Sequence, residues 1–184
     1  AATLTLRGVP HRIETRLIGS ANLANIAAAS AVALSCGVGA DDIVAGIAEL
    51  VPAPHRGEVV RAAGGRVVID DAYNSSPSAL TRALQTLAGT PGRHLAVLGE
   101  MLELGDFATH YHAQCGAAAA ELGIAAVIAV GGAPARALAD AAREGGVPHV
   151  QYVDDSATAA RLALALVQPG DVVLVKGSRG IRME

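Results

Sequence analysis

Aromatic side chains are nearly missing from this sequence: one Phe, three Tyr and no Trp make up 2% of 184 residues. Any core must therefore be aliphatic, drawn from the Ala, Val, Leu and Ile that dominate the 52% apolar fraction. Cysteine is scarce as well. Cys36 and Cys115 lie far apart, in no CxxC or zinc-like spacing, which excludes a disulfide framework and suits two reduced thiols. Excess charge of either sign is absent, and a net charge of −3 leaves no electrostatic footprint for nucleic acid or an anionic membrane. Asn, Glu, Gly or Arg interrupts each Ala-rich stretch, so no apolar run reaches spanning length and no leader pattern opens the chain. The sequence reads as soluble, intracellular and without membrane insertion.

Two phosphate-binding signatures are also lacking. No Walker loop G-x-x-x-x-G-K-[ST] exists, since Lys176-Gly177-Ser178 has no upstream glycine at the required place. The G-x-G-x-x-G turn that lets backbone approach a pyrophosphate is missing too, and Val130-Gly131-Gly132-Ala133-Pro134 has glycines at the wrong spacing. A dinucleotide site and a self-sufficient triphosphate cradle are both excluded.

The clearest positive feature is Asp70-Asp71-Ala72-Tyr73-Asn74-Ser75-Ser76-Pro77, set directly after the apolar run Arg66-Val67-Val68-Ile69. A buried strand that stops at two carboxylates with a helix starting just beyond puts charge where open α/β sheets collect ligands. Val97-Leu98 likewise runs into Gly99-Glu100-Met101-Leu102-Glu103-Leu104-Gly105, and Val172-Val173-Leu174-Val175 into Lys176-Gly177-Ser178-Arg179. Three polar segments are expected to converge on one crevice rim. Neighbouring strand residues face opposite sides, so only one of Asp70 and Asp71 can point into the crevice.

The pattern around these segments is organised in two parts. Alternation before Gly19 predicts a hairpin turning around Gly8-Val9-Pro10, followed by helices over 22–36 and 41–50. Pro52, Pro54 and Gly57 mark a boundary. A second hairpin, 58–62 with 66–70, turns at Gly64-Gly65. Helices over 77–88, 108–122, 134–144 and 155–167 then alternate with strands over 94–98, 126–130, 149–153 and 171–175. That alternation predicts an α/β domain with a Rossmann-like, doubly wound, mostly parallel sheet over 57–184, preceded by an incomplete domain over 1–56. Both chain ends read as cut.

The series Asn22-x-x-Asn25, Arg56, Asp70-Asp71-x-Tyr73-Asn74-x-x-Pro77, Leu98-Gly99-Glu100-Met101-x-Glu103-Leu104-Gly105 with His112, and Lys176-Gly177-Ser178-Arg179 resembles the Mur ligases in order and spacing. Within the family it is most similar to the branch that adds D-alanyl-D-alanine to UDP-N-acetylmuramoyl-tripeptide. The resemblance implies a longer parent using ATP and Mg²⁺, with residues 1–56 ending a central ATP-binding domain and 57–184 forming the C-terminal domain. It implies a cytoplasmic, monomeric enzyme of peptidoglycan assembly whose metal ligands precede this chain.

By the same resemblance Arg56 is the catalytic arginine that reaches ATP phosphate, and Asn22, Asn25, Asp71, Tyr73 and Asn74 border the nucleotide. Glu100, Glu103, His112, Lys176, Ser178 and Arg179 fall on the acceptor or substrate side. With Asp71 given to the nucleotide by the resemblance, Asp70 is implied to be a structural acceptor. The residues alone also allow plainer roles: Asn22 as a helix cap, Arg56 as a solvated linker arginine, Glu100, Glu103 and His112 as a capped helix with a solvated face, and Lys176, Ser178 and Arg179 as a solvated basic loop. Three departures from the family pattern stand out: Ala21 replaces a usual His, Ser75-Ser76 replaces Ala-Asn, and His55 stands where Gly often precedes the arginine. Another Mur-type amino-acid-adding ligase and a non-catalytic nucleotide-binding module are the alternative readings.

Overall fold

The computed structural model describes residues 1–184, which divide into two compact units, Ala1–Ala53 and Pro54–Glu184. In the first, strands β1 (Ala2–Leu6) and β2 (Val9–Ile13) pair antiparallel, with Leu6 opposite Val9. The turn is Arg7-Gly8 and not Gly8-Val9-Pro10: Leu6 pairs with Val9, which leaves a two-residue loop of the type that needs positive φ at both positions. Arg7 and Gly8 supply it at +49° and +83°. Proline's locked φ cannot, and Pro10 sits within β2 opposite Thr5.

Helix α1 (Ser20–Ser35) follows Gly19 and stops at Gly37, whose φ of +85° lets Gly37 N donate to Leu34 O and Val38 N to Ala33 O. These two bonds satisfy carbonyls that the helix end would otherwise leave open. Helix α2 (Ala40–Glu49) carries Asp41 and Asp42 in its first turn, where the helix dipole favours negative charge. Leu6, Ile13, Ile26, Ile43 and Ile47 form the buried core of this unit, an aliphatic cluster without aromatics.

The second unit is built on a six-stranded sheet in the order β3-β4-β8-β5-β6-β7. Strand β3 (Glu58–Arg61) is antiparallel to β4 (Val67–Asp71), across a short turn with positive φ at Gly64 and Gly65. Strands β5 (His94–Gly99), β6 (Ala126–Val130), β7 (His149–Val153) and β8 (Val172–Lys176) all run parallel to β4. The central strands are buried along nearly their whole length, as expected where helices cover both faces.

Helices α3 (Pro77–Ala88), α4 (Ala108–Glu121) and α5 (Ala133–Glu144) pack in succession beside the sheet. Helix α6 (Ser156–Leu166) lays Ala159, Leu162, Ala163 and Leu166 against Leu95, Val97, Ile128 and Val173. Small residues replace aromatic bulk where helices meet: a Cβ on Gly116 of α4 would collide with the Leu138 carbonyl of α5, so this pair can approach closely only with glycine there. No helix is long and apolar enough to cross a membrane.

Candidate functional site

The C-terminal ends of β4, β8 and β5 lie side by side, so the three polar segments share one rim. Asp71 is paired in register with Lys176 of β8, and Lys176 Nζ donates to Asp71 Oδ2 at 2.6 Å and to Asn74 O at 2.9 Å. Asp70 turns the other way. Its Oδ1 accepts from Ala72 N at 3.1 Å, and its Oδ2 meets His55 Nδ1 at 2.8 Å, which makes it a structural acceptor.

Lys176 is the chain's single lysine and is only 4% exposed. Two of its three N–H donors are taken by a carboxylate and a carbonyl, so Lys176 fixes the loop after β4 to the end of β8.

Ser76 caps α3 by accepting from Ala79 N, and Pro77 occupies the first turn, where its missing N–H costs nothing. The same loop lifts Tyr73 to the rim. The Arg56 guanidinium lies 3.8 Å from the Tyr73 ring centroid and that of Arg179 lies 5.3 Å from it. Both arginines are exposed and neither forms an ion pair. Arg56 first and Arg179 second hold the phenol pKa below its ordinary value. Two unpaired guanidiniums on one ring form a cationic corner suited to phosphate or carboxylate oxygens.

The loop after β5 is fastened from three directions. Glu100 O accepts from Ser178 N, Glu100 N donates to Val130 O, and Glu100 Oε2 accepts from Gly132 N at 2.6 Å. Leu102 N donates to Ser178 Oγ at 2.9 Å, and Met101 N to His112 Nε2 at 2.8 Å. Where β5 and β8 end, Gly99 and Gly177 come close: a Cβ on Gly177 would stand 2.9 Å from Gly99 Cα.

His112 contradicts the solvated-face reading and cannot touch a substrate as it stands. The ring is wholly buried, Nδ1 donates to Ala108 O at 2.7 Å, and Nε2 accepts from Met101 N. Burial pushes its pKa down, so the ring is neutral with its proton on Nδ1. Ser178 is also buried, and its hydroxyl oxygen holds Leu102 instead of facing the rim. Glu103 is exposed with a left-handed φ of +64°, and Asn74 is exposed with Oδ1 turned onto Ser75 N.

Asn22 and Asn25 belong to α1 of the first unit. Asn22 is not the cap: Gly19 holds that position, and Asn22 Nδ2 reaches back to Ile18 O at 2.8 Å. Sequence reasoning noted His55 only as a departure. Its φ of +59° is the conformation that glycine adopts most readily, which accounts for the glycine usual there. No group of three or more His, Cys, Asp or Glu side chains is gathered as a metal site.

A mostly parallel α/β sheet with charged side chains and free arginines at its strand ends defines a domain of the doubly wound class, in which strand ends are where ligands collect. The sequence over residues 55–179 matches the family described as Mur ligase, glutamate ligase domain, and the chain belongs to the Mur ligase family. It is 37% identical over 91% of its length to the UDP-N-acetylmuramoyl-tripeptide–D-alanyl-D-alanine ligase of Escherichia coli, of which it covers 36%. The fold superposes with a TM-score of 0.84 on the MurF ligase of Thermotoga maritima in complex with ADP, at 27% identity, over 98% of this chain and 40% of that one. For MurF from Acinetobacter baumannii the TM-score is 0.86 at 30% identity, over 98% of this chain and 40% of that one. The chain therefore spans well under half the length of the relatives it matches.

Proposed function

We propose that the chain is the rear part of an ATP-dependent amide-bond-forming ligase that joins D-alanyl-D-alanine to UDP-N-acetylmuramoyl-tripeptide in cytoplasmic peptidoglycan assembly. Residues 1–56 are the end of its central ATP-binding domain and 57–184 its C-terminal domain, and the enzyme works as a monomer. The observation that carries this reading is the pair of unpaired guanidiniums, Arg56 and Arg179, resting on Tyr73 at the strand-end rim.

In the proposed reaction the tripeptide's terminal carboxylate oxygen attacks the γ-phosphorus of ATP, releasing ADP and forming an acyl phosphate. The amine of D-alanyl-D-alanine then attacks the acyl carbon, phosphate leaves with the C–O bond electrons, and the amine loses a proton. Negative charge gathers in the first step, so positioned cations are the main contribution a protein can make. Arg56 takes ATP phosphate oxygens, and Arg179 is placed for a phosphate or the acceptor's carboxylate. Mg²⁺, held with the triphosphate by residues outside 1–184, would supply further charge neutralisation. Asp71 and Asn74 border the nucleotide, with Asp71 held in place by Lys176.

The test is reconstitution. The full-length ligase should form the pentapeptide product and ADP with D-alanyl-D-alanine and only poorly with single amino acids, whereas residues 1–184 alone should hydrolyse no ATP. Efficient coupling of a different acceptor, or tight magnesium-dependent ATP binding by 1–184 in calorimetry, would overturn the proposal.

A further inference from the structure

Three contacts dock the short segment His55-Arg56 onto the end of β4 and the loop that follows. His55 Nδ1 lies 2.8 Å from Asp70 Oδ2, Tyr73 N donates to His55 O at 3.0 Å, and the Arg56 guanidinium lies over the Tyr73 ring. The bend that makes this possible is left-handed, with His55 at φ +59°. For a residue with a Cβ that conformation is unfavourable and persists only where surrounding contacts hold it. The imidazole–carboxylate pair is such a contact. It is half open to solvent, the His55 side chain being 42% exposed and that of Asp70 21%.

We propose that the His55–Asp70 pair is a positioning device that holds the left-handed bend closed and so sets where the Arg56 guanidinium rests, more firmly when His55 is protonated than when it is neutral. His55 is not a catalytic residue on this account; it acts through Arg56. Its importance for turnover rests on the role proposed above for Arg56, but its existence as a device does not.

The charges that face His55 all push the same way. Asp70 on β4 is the nearest, by hydrogen bond and then by charge, and Glu184 near the chain end and Glu58 on β3 add to it. Together they raise the pKa of His55 above its ordinary 6.5, against an opposing effect of burial that is larger than the contribution of either glutamate. The ion pair is therefore present in mildly acidic solution and is lost as the pH rises through that elevated value. Above it a neutral ring can still donate from Nδ1, but without the charge that strengthens the bond. The clamp loosens and is not abolished.

The experiment is an NMR titration of isotopically labelled 1–184, from about pH 5.5 to about pH 8.5, the window in which histidine changes charge. The His55 ring should titrate with a midpoint above 6.5, and the Arg56 side-chain and Tyr73 ring resonances should move with the same midpoint. In His55→Gly, which adopts the bend without strain, that shared movement should vanish. In His55→Asn, which tolerates left-handed φ and keeps a donor, the Arg56–Tyr73 contact should persist without titrating. Arg56 and Tyr73 resonances that stay flat while His55 titrates, or that titrate unchanged in His55→Gly, would overturn the proposal. Neither result depends on catalysis, so failure here is distinct from failure of the role given to Arg56.

Discussion

Lys176 Nζ and Asp71 Oδ2 lie 2.6 Å apart between neighbouring strand ends, and this contact joins the loop after β4 to the end of β8. The two residues are 105 positions apart in sequence, so the bond can form only once β8 has inserted beside β4. It reports completion of the sheet at the rim where Arg56, Tyr73 and Arg179 gather.

Removing one member of this pair leaves the other without its partner. Lys176→Met should cost about 3–5 kcal/mol, the range for breaking one side of a buried ion pair. Asp71 is partly open to water, which places the effect toward the lower end. Chemical denaturation of both single variants and the double variant measures it. The double should be less destabilised than the sum of the singles, because the second change removes the stranded charge.

Ser75 should behave in the opposite way. It is 8% exposed, and its hydroxyl is buried with no hydrogen-bond partner. An unsatisfied buried hydroxyl costs on the order of 1–3 kcal/mol. Ser75→Ala should therefore leave the melting temperature unchanged or raise it, and a clear drop in thermal denaturation would count against the burial of that oxygen.

His112 makes a pH prediction with a definite sign. Its folded pKa is depressed by burial below the ordinary 6.5, so the unfolded chain binds the proton first as the solution is acidified. The stability it contributes is fully present above pH 6.5 and is lost as the pH falls through the lower, folded value. His55, with its raised pKa, works in the opposite direction and loses its contribution as the pH rises. Urea unfolding in a His55→Gly background should isolate the His112 limb, with stability falling below about pH 6.5. Adding His112→Gln should flatten that limb.

Much of the fold was legible because each element carried its own signal. Ser76-Pro77 announced the start of α3, and β6 was an uninterrupted apolar run. The Asp70-Asp71 alternation said that the two carboxylates part, as they do, but not which way each turns. The position of β8 between β4 and β5 was not legible, since no local pattern encodes strand order, and with it went the fate of Lys176. The burial of His112 did have a signal: His112, Cys115, Gly116 and Ala119 form one helical stripe, and all four are buried in α4. The hairpin error at Gly8-Val9-Pro10 came from giving proline a turn role that positive φ at both loop positions forbids.

The central claim is that Arg56 acts on the phosphates of ATP and contributes little to the fold. It is exposed, and its contact with Tyr73 is worth about 0.5–1 kcal/mol at such a site. The most direct measurement is turnover of full-length Arg56→Ala at saturating ATP, tripeptide substrate and D-alanyl-D-alanine, with the melting temperature recorded beside it. The account predicts a loss of about 10³-fold or more, as for charge-stabilising arginines in phosphoryl transfer, with melting almost unmoved. Near-wild-type turnover under those conditions would contradict it and reduce Arg56 to a surface arginine resting on a tyrosine.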